Sequence, residues 1–163
     1  LDSKPIDVSD SYTDSAPIVA SDGNGFLVGW SHFDTDTGDS SVFARRIASD
    51  GSPQTPANGV RLGQGHPKSV VWDGLQYGLA FSTLHDTSTL YVTHVAARGS
   101  IESLSPLAVV NDRSEPDASL LVTGPGLVTV AYTRIDSDPQ YGDVERAFVS
   151  VPHVLRGRAV SPR

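Results

Sequence analysis

The chain has no cysteine and no methionine, three glutamates, two lysines, and no apolar run longer than the four residues Leu107 to Val110. The absence of cysteine excludes disulfides, thiolate metal sites and cysteine nucleophiles. Without methionine the chain begins at neither a translation start nor a signal peptide, so a mature form or a fragment is expected. Scarce Glu and Lys, set against sixteen Asp, nineteen Val, 15 Gly and 11 Pro, remove the good helix formers and supply strand and turn formers. Long helices are therefore not expected. The short apolar runs fall far below the ~20 residues that a membrane span needs, while 38% hydrophobic residues suffice for a packed core. A net charge of −7 opposes wrapping around a polyanion, and the cluster Arg156, Arg158 and Arg163 reads as a solvated end. High Asp, Ser, Thr and Gly with little Lys leans towards an extracellular or cell-surface protein.

What the sequence does contain is a repeat. Pro17 to Gly23, Pro67 to Gly74 and Pro116 to Gly124 each open on proline, run apolar and reach a glycine turn. Each is followed by an aromatic before a hydroxyl residue, at Trp30-Ser31, Phe81-Ser82 and Tyr132-Thr133, 51 residues apart both times. Phe43 to Gly51 aligns without gaps on Tyr91 to Gly99, and Val144 to Val151 takes that place in the third unit. A fourth segment follows at Val60 to Leu62, Leu107 to Val109 and Arg158 to Val160, and Ile6 to Val8 has the same pattern ahead of the first unit. A period of ~40 to 50 residues with four short strands, A to D, signals blade-like sheets. The units run over about 17–64, 67–112 and 116–163, with 1–16 as the outer strand of a preceding blade. Asp22-Gly23, Asp73-Gly74 and Asp50-Gly51 suit the turns between strands. Strand A is apolar at consecutive positions (Ile18 to Ala20, Val70 to Trp72, Leu120 to Val122), which predicts an innermost strand buried on both faces. Strand C alternates more, so one of its sides is expected to reach water and to lie further out.

The signature P-x-V-A-x-D-G-x-G-F-L-V-x-W, here Pro17 to Trp30, resembles the repeat units of secreted bacterial β-propeller proteins, and the resemblance covers nearly the whole chain. It implies a scaffold and not an activity. Ser21 to Gly25 followed by Trp30 is also similar to the Asp-box of sialidase-like propellers, but differs in its spacing to the Trp and in lying between strands A and B. No sialidase chemistry is carried over. The fold class expected is all-β, with three antiparallel four-stranded sheets as tandem propeller-like blades. Three blades fall short of the ~4 to 8 of a closed ring, so the ring is incomplete unless a second copy or a missing chain completes it.

The B–C hairpin tips carry the densest polar groups: Asp34, Asp36 and Asp39 in the first unit, Asp136, Asp138 and Asp143 in the third. Alternating carboxylates offer the oxygen ligands that Ca²⁺ takes, which makes Asp34, Asp36 and Asp39 a candidate calcium site and otherwise a solvated turn. The spacing is not that of an EF-type loop, with glycine at the fifth position and Arg45 at the twelfth. His32, His66, His85, His94 and His153 are dispersed; His85-Asp86 has the composition of a general base with an orienting carboxylate, or of a plain loop. Gly29 to Phe33 is not a nucleophile elbow, and Gly63-Gln-Gly65 lacks the Lys-Ser/Thr of a phosphate-binding loop. The equal spacing of Trp30, Phe81 and Tyr132 argues for packing between sheets. Trp72, which has no aromatic counterpart in the other units, is the candidate ligand contact. The reading is a non-catalytic binding or scaffolding module of a secreted or cell-surface protein, with a glycan as the possible ligand. The alternative is a partial propeller domain of a larger secreted hydrolase.

Overall fold

The computed structural model describes residues 13–54, 56, 58–83, 88–98, 107–112, 116–138 and 142–150. Among them all regular structure is strand: β1 (Asp14–Ser21), β2 (Gly25–Phe33), β3 (Ser40–Ala48), β4 (Val60–Gln64), β5 (His66–Trp72), β6 (Gln76–Ser82), β7 (Ser88–Ala96), β8 (Leu107–Asp112), β9 (Ala118–Gly124), β10 (Leu127–Asp138) and β11 (Gly142–Ser150). They form three antiparallel sheets in chain order, β1-β2-β3-β4, β5-β6-β7-β8 and β9-β10-β11. The expected fourth strand of the third sheet (Arg158 to Val160) and the strand at Ile6 to Val8 lie outside the described residues, as does His85-Asp86. Among the described residues the strand ladders run only within each sheet, and the sheets do not close into a ring.

The 51-residue spacing reappears as register. Trp30 stands opposite Phe43, Phe81 opposite Tyr91 and Tyr132 opposite Phe148. The first two pairs stack, with ring centroids 6.0 and 5.3 Å apart. Phe81 is buried in the core between the first two sheets and Tyr132 packs half-buried against the core between the second and third, as their spacing predicted. Trp30, by contrast, is buried but belongs to neither core and lies against Gly59 just before β4.

The sheets lie face to face through their first strands, β1 against β5 and β5 against β9. Because successive side chains of a strand point to opposite faces, each sheet offers two surfaces, and among the described residues the middle sheet has another sheet against both. One core joins Leu27, Val42, Ala44 and Leu62 of the first sheet to Val70, Leu79 and Phe81 of the second. The other joins Ala80, Leu90 and Val92 of the second to Leu120, Val128 and Val130 of the third. Small residues let the sheets approach: a Cβ on Gly78 would sit 3.0 Å from Val128, and one on Gly29 3.4 Å from Leu79. Polar ties cross the second junction, where Leu120 N donates to Ser69 Oγ at 3.1 Å and Gly126 N to the Asp73 carbonyl at 3.3 Å.

Four expectations are corrected. Strand A is not buried on both faces in the outer sheets, since Val19 is 61% and Leu121 63% exposed; among the described residues no sheet lies beside their outward faces. Strand C is more enclosed than its alternation suggested. In β3, Ala44, Arg45, Arg46 and Ile47 are all buried, because β2 and β4 flank the strand and the following segment returns over it, Pro53 pairing with Ile47. Asp136, Asp138 and Asp143 sit on paired strands and not on a hairpin tip, with Ser137 opposite Asp143 and Asp138 opposite Gly142. The chain ahead of Pro17 also joins the first sheet, as Asp14 and Ser15 pair with His32 and Ser31 across a bulge where Ala16 takes φ 50°.

Candidate functional site

The turns between strands A and B cluster at one end of the sheets. Asp22-Gly23-Asn24 closes the first, where Asp22 Oδ1 accepts from Asn24 N at 2.8 Å. Asp73-Gly74-Leu75 closes the second, where Asp73 Oδ1 accepts from Leu75 N and Gln76 N, both at 2.8 Å. An aspartate that binds the amides two or three residues on fixes a turn without help from the rest of the fold. With the two sheets stacked, these turns and the end of β7 enclose a cleft of about 410 Å³ lined by Asp22, Asn24, Trp72, Leu75 and Arg98. A second hollow of about 270 Å³ adjoins it through Asp22, Asn24 and Arg98 and reaches Arg46, Gln54 and Tyr77.

Trp72, the candidate from sequence, stands half-buried on the wall of this cleft. Its ring rests against Tyr77 with centroids 4.9 Å apart and planes at 57°. It lies at the turn end of β5, the opposite end from Gly65, where strand D of the first sheet passes into strand A of the second. Below it Tyr77 and Arg46 are 1% and 4% exposed. Burial pushes the Tyr77 phenol up to about 12, helped by the Asp22 charge and by its hydrogen bond to the Asp22 carboxylate. Burial pulls Arg46 down from its ordinary value, while Tyr77 and Asp22 oppose the change. Guanidinium groups keep their charge in proteins, so both deep groups remain protonated donors across the neutral range.

Sequence reasoning took Asp22 and Asn24 only as turn formers and passed over Tyr77, Arg46 and Arg98. The local signal is weak: Tyr77 holds the register position that Phe26 and Val128 hold in the other sheets, and its hydroxyl is the one departure from a plain apolar repeat.

The other end of the sheets carries the acidic hairpin. Asp34 Oδ1 accepts from Asp36 N at 2.9 Å and Thr37 N at 3.3 Å, and these backbone donors hold the Asp34 carboxyl below its ordinary value. Asp39 accepts from Gln64 Nε2 at 3.4 Å. The structure does not draw Asp34, Asp36 and Asp39 into a metal-holding group; among the described residues no three His, Asp or Glu side chains form one. Near this end His32 Nδ1 lies 2.8 Å from Asp14 Oδ1, a cross-strand pair that went unread because residues 1–16 were assigned to a preceding sheet. Among the described residues His94 is the buried histidine. Its Nε2 lies 4.0 Å from Asp73 Oδ2, and neither ring nitrogen has a hydrogen-bond partner among the described residues. Burial lowers the His94 pKa, with Asp73 pulling the other way.

The chain matches no protein-family model and is significantly similar to no curated protein.

Proposed function

We propose that this chain is a non-catalytic binding module of a secreted or cell-surface bacterial protein, built from propeller-like blades, and that it takes a short carbohydrate in the cleft beside Trp72. The observation that carries the reading is the composition of that cleft: one indole face beside the planar polar groups of Asp22, Asn24 and Arg98. A sugar ring offers an apolar C–H face and a rim of hydroxyls. Amphipathic aromatics suit the first, and carboxylate, amide and guanidinium groups suit the second.

Binding is favoured over turnover because Tyr77 and Arg46 hold their protons at neutral pH, whereas proton-transfer catalysis works best with groups poised near the working pH. The 51-residue register and the stacking through strand A support the propeller-like reading of the scaffold.

Titrating the protein with a panel of oligosaccharides by calorimetry or tryptophan fluorescence tests the proposal. At least one is expected to bind, and Trp72→Ala to weaken it about tenfold or more, a loss of ~1.4 kcal/mol. Asp34→Ala, at the opposite end, is expected to leave affinity unchanged. Equal binding by Trp72→Ala, or no binding across the panel, would overturn the carbohydrate reading.

A further inference from the structure

The two junctions inside the chain are built alike, and both outer faces carry the matching halves of a third. At each junction the residue of strand A that faces the preceding sheet is buried by it: Val70 is 9% exposed and Leu120 8%. Val19 holds the same register position, opposite Val28 as Val70 is opposite Leu79 and Leu120 opposite Val130, yet it is 61% exposed. Phe26 repeats the contrast at 42%, against 1% for Tyr77 and 5% for Val128 in its place. These side chains are as apolar as their buried counterparts, and what differs is that no sheet among the described residues lies against them.

The complementary surface is at the other end of the stack. The receiving face of a junction has a small residue in strand B where the next sheet's large one seats: Gly29 lies against Leu79, and Ala80 shares a core with Val128 and Val130. The third sheet repeats this at Ala131, which is exposed, with Leu121 beside it 63% exposed in the place of the half-buried Ala20 and Val71.

We infer that the first sheet of one copy docks on the third sheet of a second copy, Val19, Phe26 and Val28 of one seating on Leu121 and Ala131 of the other. The surface is heterologous, with different patches meeting, and its register continues that of the two internal junctions. Two copies joined this way at both ends bring six sheets together, within the range of closed rings. The inference rests on the propeller-like reading of the scaffold but not on the sugar, since the Trp72 cleft lies within one chain.

Sedimentation of the protein gives the first test: a mass twice the 17.2 kDa of one chain is expected. Val19→Asp and Leu121→Asp are each expected to halve the mass while circular dichroism keeps the strand signal, because both side chains are exposed within one chain. The absence of native cysteine allows a test of orientation. Val28→Cys mixed with Ala131→Cys is expected to form an intermolecular disulfide about tenfold faster than either alone, mixed pairing being the only route that aligns the two thiols. A one-chain mass for the unaltered protein at every concentration, an undisturbed mass in Leu121→Asp, or self-coupling of Val28→Cys equal to the mixed reaction would each overturn the inference. Sugar binding by the one-chain variants reports on the cleft independently.

Discussion

Tyr77 concentrates the chemistry of the cleft in one side chain. Its phenol is buried, donates to Asp22 and is pushed up to about 12. A folded-state value above the unfolded one of 10.0 means that the native chain holds a proton the unfolded chain has lost between those limits. Stability is then full below pH 10 and falls as pH rises towards 12. Denaturant midpoints between pH 10 and 12 are expected to show this fall, and Tyr77→Phe to flatten it. His94 acts at the other side of neutrality. Its folded value lies below the ordinary 6.5, so the unfolded chain takes up the proton first. Stability is present above about 6.5 and is lost as pH falls; His94→Gln is expected to reduce the slope between pH 7 and 5. Asp34 is different again, because its carboxylate serves its own turn. Asp34→Ala is expected to lower the melting temperature slightly, by the same amount with and without Ca²⁺.

At the scale of the element, β6 contributes to both cores, as its neighbours β5 and β7 do. From Tyr77 to Ser82 every residue is buried, and Phe81 fills the first junction at 2% exposure. Phe81→Ala is expected to cost about 3–5 kcal/mol in chemical denaturation. The joint between the first two sheets is a single residue, Gly65, at φ 110°, where any Cβ would run into the carbonyl of Ser82. Gly65→Ala therefore combines backbone strain with a backbone clash that no rotamer relieves, and about 2–3 kcal/mol is expected. Most of the strand pattern was legible in the sequence, because period-two alternation, aspartate-glycine turns and a fixed 51-residue spacing are all local signals. The start of β1 was not, since the bulge between Ser15 and Ile18 makes Pro17 look like a boundary. The extra length of β10 was hidden for a related reason: Asp136 and Asp138 carry turn chemistry but are held in a ladder by β11.

The whole molecule adds what no single strand encodes. Val19 and Val70 are the same residue in the same register, and only the stacking order decides that one is exposed and the other buried. The cleft is of the same kind: Asp22 and Arg46 come from the first sheet, Trp72, Tyr77 and Arg98 from the second, and their meeting depends on how two sheets face each other. Trp72 stands out in the sequence as a candidate because it breaks the repeat, and the fold places it on the cleft wall; Tyr77 and Arg46 do not stand out, because their polarity gains meaning only once they are buried together. The account rests on a middle sheet enclosed from both sides. Amide hydrogen exchange followed along the chain tests this directly, since enclosed strands open only with global unfolding while edges and outer faces open locally. The prediction is that residues 76–82 exchange last, well after β1 and β9; equal or faster exchange there would contradict the stacked arrangement on which the site depends.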